Sequence, residues 1–235
     1  MCSHTHNDKE KSGRIQPLHS ERRSTYAEYG SVPRIRKGKR SEHEELARLV
    51  IFSAPSFLTG LFGTNAIQLL SHLAQQDNTL YSYHHALVAE ARGTLAGAAL
   101  GYDGKTMRRE WLITGYHIAR HLRMSFAAFV VRCFQLNRSF APLHPADWYL
   151  SHLAVLPRFR GQGTGEVLLR EVSHRAYKRG LERITLDVEM ENRTAQKFYR
   201  KLGFHQEKES PPVKLGGHTF RFLRLFLDLK GKNVT

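Results

Sequence analysis

The chain has 235 residues, 41% of them hydrophobic, which suffices for one domain with elaborations around a real core. Its 36 Lys and Arg against 21 Asp and Glu leave a formal charge of +15, favouring anionic partners: phosphates, an acidic acceptor, nucleic acid or a membrane surface. The two cysteines, Cys2 and Cys133, lie far apart with no paired spacing, so a disulfide framework and a zinc site are excluded, no metal is expected, and the cytoplasm is the default compartment.

Residues 1–31 are polar, rich in Ser, His and charge, and lack the apolar stretch of a secretory signal. A disordered basic tail is expected there, with residues 32–235 forming the domain. Cys2, His4 and His6 share that tail and so have no fixed geometry for a metal. Alternation from Pro33 to Lys37 predicts a first strand. Ser41-Glu42-His43-Glu44 fits a capping box, so a helix is expected from near Glu42 to about Phe52. No Asp, Glu, Lys or Arg occurs from Leu49 to Gln76, yet Pro55, Gly60 and Gly63 argue against a membrane span and for a loop over an apolar cleft. Helical spacing returns from Ala66 to Ala74.

Ala86–Glu90 and Thr94–Tyr102 read as a hairpin turning at Arg92-Gly93, with Gly97 and Gly101 marking close approach of another backbone. Over residues 105–145, Leu112, Tyr116, Ala119, Leu122, Phe126, Val130 and Cys133 recur at helical spacing and predict an inserted helix or helix pair with that stripe as its apolar face. Arg108, Arg109, Arg120, Arg123, Arg132 and Arg138 make the insert basic.

Trp148 to Val155 then reads as a strand, Pro157 stops it, and Gly161, Gly163 and Gly165 occupy every second position before a helical pattern begins. Strand, glycine turn and helix N-terminus make an anion cradle, with Arg160 at its edge. A dinucleotide fingerprint fails because Glu166 stands where its third glycine belongs, and a Walker loop fails because Gly165 is followed by Glu166 and Val167. Downstream, Leu168, Leu169, Val172 and Ala176 form an apolar stripe ending at Gly180, and Ile184–Glu191 alternates into a strand. Asn192 caps a helix that buries Ala195, Phe198, Tyr199 and Leu202 and stops at Gly203. Phe204–Glu207 and Thr219–Leu229 close the sheet, with a bulge near Phe222 to accommodate a shift in apolar register.

Arg160-x-x-Gly163-x-Gly165 directly after L-A-V-x-P resembles the pyrophosphate loop of the GNAT superfamily of acetyl-coenzyme A dependent N-acetyltransferases. The segment Asn192-Arg-Thr-Ala195-Gln-Lys-Phe198-Tyr199-Arg-Lys-Leu-Gly203-Phe204 resembles a second motif of the same superfamily. The resemblance implies an α/β (α+β) fold with a mixed, mostly antiparallel central sheet flanked by helices, here with a helical insert before the central strand. It implies acetyl-CoA as cofactor and acetyl transfer to a primary amine, small molecule or peptide, by direct attack in a ternary complex. On this basis Leu153, Ala154 and Val155 hold the pantetheine arm and thioester through their backbones. Arg160, Gly161, Gln162, Gly163, Thr164 and Gly165 hold the pyrophosphate, with Asn192 also on the coenzyme side. Tyr199 takes the place of the general acid.

For the acceptor pocket the resemblance points to Phe57, Leu58, Leu61 and Phe62. Period-2 geometry puts Tyr149, Ser151, Leu153 and Val155 on one strand face and His152 on the other, so Tyr149 and Ser151 join the pocket and His152 is given a structural role. Asp187 and Glu189 are the candidate bases. A homodimer is compatible with the family. Two other readings remain open at this point: a non-catalytic coenzyme A sensor of the same fold, and a basic adaptor for nucleic acid or a membrane surface, although no RNA-binding aromatic signature accompanies the charge.

Overall fold

A computed structural model describes residues 33–136 and 142–230, so the expected tail, Cys2 and Arg138 lie outside the described residues. The strands are β1 (Arg34–Lys37), β2 (Ala86–Ala91), β3 (Thr94–Asp103), β4 (Asp147–Val155), β5 (Arg183–Glu189), β6 (His205–Glu209), β7 (Val213–Leu215), β8 (His218–Phe220) and β9 (Phe222–Asp228). The helices are α1 (His43–Ser53), α2 (Pro55–Phe62), α3 (Ala66–Gln75), α4 (Gly104–Leu122), α5 (Phe126–Leu136), α6 (Thr164–Lys178) and α7 (Arg193–Lys201). Seven strands form one sheet in the order β1-β2-β3-β4-β5-β9-β6, while β7 and β8 make a separate hairpin. Every neighbouring pair in the large sheet is antiparallel except β4 and β5. The mixed, mostly antiparallel sheet flanked by helices is therefore what the chain forms.

One face of the sheet buries Leu150, Ile184, Leu186, Val188 and Leu225 against Leu168, Leu169 and Val172 of α6 and Tyr199 of α7. The other packs Val88, Ala98, Leu100 and Ala154 against Leu46 and Leu49 of α1. Each fully buried leucine contributes about 1.5–3 kcal/mol, so these two layers hold the sheet between helices.

Local chemistry explains where elements begin and where the sequence reading slipped. The capping box sits earlier than Ser41–Glu44: the Glu42 carboxylate accepts the Lys39 N–H at 2.9 Å over a 3-10 turn, and Glu44 pairs instead with Arg48. The loop expected after α1 is helical, because Pro55 takes the first turn of α2, where its missing N–H costs nothing, and Gly63 ends it at φ 82°. In the β2–β3 turn, Arg92 and Gly93 both adopt positive φ, as a two-residue hairpin requires. A Cβ on Gly97 would stand 2.5 Å from the Ala154 carbonyl oxygen, which is why β4 can lie so close there.

The insert is a helix pair, but its buried face is not the expected stripe. Thr106, Glu110, Thr114 and Ile118 are buried on α4, whereas Leu112 is 66% and Tyr116 59% exposed. Polar anchors override periodicity here: the Glu110 carboxylate meets His85 Nε2 at 2.5 Å, and the Thr114 hydroxyl accepts the Leu80 N–H at 2.9 Å. Thr219–Leu229 likewise splits at Arg221 into β8 and β9, two strands of different sheets, which accounts for the shift in apolar register. The irregularity in the β6–β9 pairing lies at Glu207 rather than Phe222.

Candidate active site

β4 and β5 pair only from Asp147–Tyr149 to Arg183–Thr185; beyond that, β4 stays with β3 and β5 with β9. Parallel strands that part in this way leave a wedge between them. The Leu156 N–H donates to the Ala96 carbonyl at 2.9 Å, so antiparallel alternation turns the main chain of Ala154 toward Ala98 and those of Leu153 and Val155 toward the wedge. The open edge of β4 is thus made by Leu153 and Val155, and Ala154 belongs to the sheet.

The glycine loop follows at the wide end of the wedge. Gly161 and Gly163 have φ of 72° and 76°, a left-handed conformation that glycine adopts without steric cost. The loop is fixed by its own side chains: Gln162 Nε2 donates to the Arg158 carbonyl at 2.9 Å and the Thr164 hydroxyl to the Phe159 carbonyl at 3.3 Å. Helix α6 starts at Thr164 with Gly163 as N-cap, and its first-turn N–H groups have no intrahelical acceptors. Arg160 Nε donates to the Val155 carbonyl at 3.0 Å, and its guanidinium lies 4.9 Å from the Phe52 ring centroid, tethering the arginine at the loop's edge. These features suit a pyrophosphate.

Opposite stands α7. The Asn192 side-chain carbonyl accepts the Ala195 N–H at 3.0 Å, so this residue acts as a cap. Gln196, which sequence reasoning missed, is buried and donates to the Glu189 and Met190 carbonyls at 3.2 and 2.8 Å, tying the helix start to the end of β5. A buried glutamine one turn past a cap at a strand end was the available signal. Against α6, a Cβ on Gly165 would sit 3.2 Å from the Phe198 ring, so the start of α6 packs closely on the middle of α7. Tyr199 is buried between Phe198 and Phe204, and its hydroxyl makes no hydrogen bond among the described residues. Burial pushes the phenol well above its usual range, so it keeps its proton at any working pH.

The far side of the sheet differs from the period-2 reading. Leu100 pairs with His152 and Gly101 with Leu150, so Ser151 is an extra residue in β4 and every side chain after it changes face. Leu153 and Val155 pack with Leu150 in the α6 layer, while His152 and Ala154 turn toward α1. Tyr149 and Ser151 therefore do not share a face with Leu153 and Val155; the Ser151 hydroxyl bonds back to the Leu100 carbonyl at 3.1 Å. His152 is the residue the bulge delivers. The Ser53 hydroxyl donates to the Val50 carbonyl at 2.7 Å, so toward His152, at 2.9 Å, it acts as acceptor of the Nδ1 proton. That assigns the lone pair to Nε2. Burial lowers the imidazole to about 4 and keeps it neutral.

Asp187 is held in a buried ion pair. Its two oxygens accept from Arg224 Nε at 2.9 Å and Nη2 at 2.5 Å, the Tyr149 hydroxyl donates at 3.1 Å, and its side chain is 5% exposed. Both carboxylate oxygens are thereby engaged by Arg224, one of them also by Tyr149. Glu189, two residues on, is half-buried with no side-chain partner among the described residues, and desolvation raises its carboxyl above the usual range. Leu58, Leu61 and Phe62 are buried core side chains, and Phe57 packs edge-on against Phe220 and Phe222 at 5.6 and 5.2 Å. Only Phe57 of the four lies at the margin of that core.

The model of the Acetyltransferase (GNAT) family matches residues 57–204. N-alpha-acetyltransferase 30 of Schizosaccharomyces pombe is 33% identical over 76 residues, 32% of this chain and 51% of that protein, so the chain spans about half the length of this curated relative. The fold is similar to an N-acetyltransferase of Staphylococcus aureus Mu50, with TM-score 0.58 and 17% identity over 83% of this chain and 100% of that one. It is also similar to a Bacillus subtilis acetyltransferase solved in complex with CoA, with TM-score 0.50 and 15% identity over 83% and 98% of the two chains. The wedge, its glycine loop and the capped α7 stand inside the matched segment, and the chain belongs to the GNAT family of acetyltransferases.

Proposed function

We propose that this chain transfers the acetyl group of acetyl-CoA to a primary amine by direct attack in a ternary complex. The observation that carries the reading is the wedge itself: a β4 edge at Leu153 and Val155 that β5 leaves, followed by the α6 N-terminus, with Tyr199 in the same packed layer as Leu153 and Val155. Amides at the loop and the first turn of α6 neutralise the pyrophosphate, with Arg160 beside them. Main-chain groups of Leu153 and Val155 align the pantetheine, and an N–H on that edge stabilises the oxyanion as the amine nitrogen bonds to the carbonyl carbon. The C–S bond then breaks, the amine proton passes to Glu189, and the sulfur takes its proton from Tyr199.

Glu189 is favoured as base because its carboxyl is raised and unpaired, whereas His152, at about 4, is a weaker proton acceptor. A covalent acetyl-enzyme is disfavoured because burial pushes the Cys133 thiol up to about 11, leaving little thiolate. Single-turnover kinetics with labelled acetyl-CoA and a panel of amine acceptors test the proposal. Label on the acceptor and none on the enzyme is the expected result; a stable labelled enzyme overturns direct transfer.

A further inference from the structure

Helix α5 reads Phe-Ala-Ala-Phe-Val-Val-Arg-Cys-Phe-Gln-Leu, with only Arg132 and Gln135 polar, a composition that suits a helix covered on most sides. Only one side is covered. Phe129 and Leu136 are buried, but Ala127, Val130, Val131 and Phe134 form an i, i+3, i+4, i+7 stripe in solvent, Phe134 being 70% exposed. Val131 also walls a groove of about 520 Å³ that runs to the β7–β8 turn, with Arg132 and Lys214 at its sides. The elbow before α5 exposes Met124 at 95%, and the outer face of α4 carries Trp111, Leu112 and Tyr116 at 58–66%.

Charge selects among coverings for this face. Lys105, Arg108, Arg109, Arg120 and Arg123 are exposed on the same helix pair. Its sole acidic residue, Glu110, is buried on His85 and Arg109. Two copies meeting here would oppose cation to cation. A nucleic acid would satisfy the arginines but offers no hydrocarbon for Leu112, Met124, Val131 and Phe134. An anionic lipid surface supplies both, headgroup charge for the arginines and acyl chains for the aliphatic side chains, with Trp and Tyr at the boundary. Neither α4 nor α5 is long and apolar enough to span a bilayer as a single helix, and the attachment proposed is at the interface. From this geometry we infer that the α4–α5 pair is a docking face for an anionic lipid bilayer. The inference is independent of the acetyl-transfer reading.

Flotation of the full chain with phosphatidylcholine vesicles, with and without phosphatidylserine, tests it. The chain floats only when phosphatidylserine is present, and Arg108→Gln with Arg120→Gln and Arg123→Gln weakens partition by about five-fold per cation removed. Leu112→Ser with Phe134→Ser weakens it about ten-fold through lost apolar insertion. Both variants keep the parent's thermal melt and CoA affinity. Trp111 reports insertion by a blue shift, since the other of the two tryptophans, Trp148, is buried. Failure to float with phosphatidylserine overturns the inference. So does flotation indifferent to the serine pair, which would mark a bare charge patch that RNA could equally occupy, and so does a dimer that Phe134→Ser dissociates.

Discussion

The two sides of the β4–β5 wedge are built from different materials. The side proposed for the coenzyme is backbone: two left-handed glycines, the first turn of α6, the edge of β4 that β5 leaves and an asparagine cap. The acceptor side is side chain. Tyr149, Asp187 and Arg224 are knotted in a buried network, His152 leans on Ser53, and the surrounding helices close over an apolar core. In the proposed reaction the backbone devices meet what never varies, a pyrophosphate and a thioester arm, and they depend on a few residues in fixed local order. Side-chain networks fix a shape that differs from acceptor to acceptor, and depend on contacts distant in sequence.

Substitutions can break the comparison from either side. On the acceptor side, Asp187→Asn leaves Arg224 charged in a site where its side chain is 6% exposed. A loss of about 3–5 kcal/mol in stability follows, measured by denaturant unfolding, because a buried ion pair is broken from one side. If stability holds and only turnover falls, Asp187 is a base after all. On the coenzyme side, Gly163→Val forces a β-branched residue to φ 76° and sets a side chain among the loop amides. CoA affinity falls by about 100-fold or more in calorimetry while the protein stays folded with a melt lowered by several degrees, since one unfavourable loop residue costs about 1–3 kcal/mol and each kcal/mol moves the melt by about 2–4 °C.

Catalysis lies between the two sides and sharpens the distinction. Tyr199→Phe keeps the ring packed between Phe198 and Phe204 and removes only an unbonded hydroxyl, so CoA affinity and folding stay near the parent. The single-turnover rate falls by about 10²-fold if thiolate departure limits turnover. Glu189→Gln lowers the rate by a similar factor and removes the acid limb of the kcat/KM profile. That limb lies above the ordinary carboxyl range because desolvation raises the group; activity is lost as pH falls through it and the carboxylate gains its proton. An unchanged acid limb in the variant moves the base elsewhere.

The same contrast explains what was legible in the sequence. Gly161, Gly163, Asn192 and the Arg92-Gly93 turn announce themselves because each is a local answer to a local backbone demand. The α4 face was misjudged because Glu110 and Thr114 are anchored by His85 and Leu80, 25 and 34 residues away, and no periodicity encodes such partners. The helicity of α2 was hidden by Pro55 and Gly63, which bound the helix rather than prevent it, and by Gly60, which it tolerates inside. The bulge at Ser151 was invisible for a different reason: a strand read alone has no partner against which to count an extra residue. Missing it inverted the faces of β4 beyond that point and set His152 on the wrong side.

His152 supplies the smallest and most specific test of the acceptor side. Its folded pKa of about 4 lies below the usual histidine value near 6.5 because burial penalises the cation. The unfolded chain therefore binds a proton that the folded chain refuses throughout that interval. Stability contributed by neutral His152 is whole above about pH 6.5 and is lost as pH falls toward 4, with a slope approaching about 1.4 kcal/mol per pH unit inside the interval. His152→Gln retains an amide that can donate to the Ser53 hydroxyl but does not titrate. The variant loses that part of the slope, while acid-sensitive groups elsewhere, His72 among them, contribute equally to both proteins. Unfolding free energies of parent and variant measured across the interval isolate the difference. Parallel curves mean that the imidazole is solvated and that the bulge does not turn it inward; converging curves at high pH with a gap opening below 6.5 place it, neutral and enclosed, beside α1.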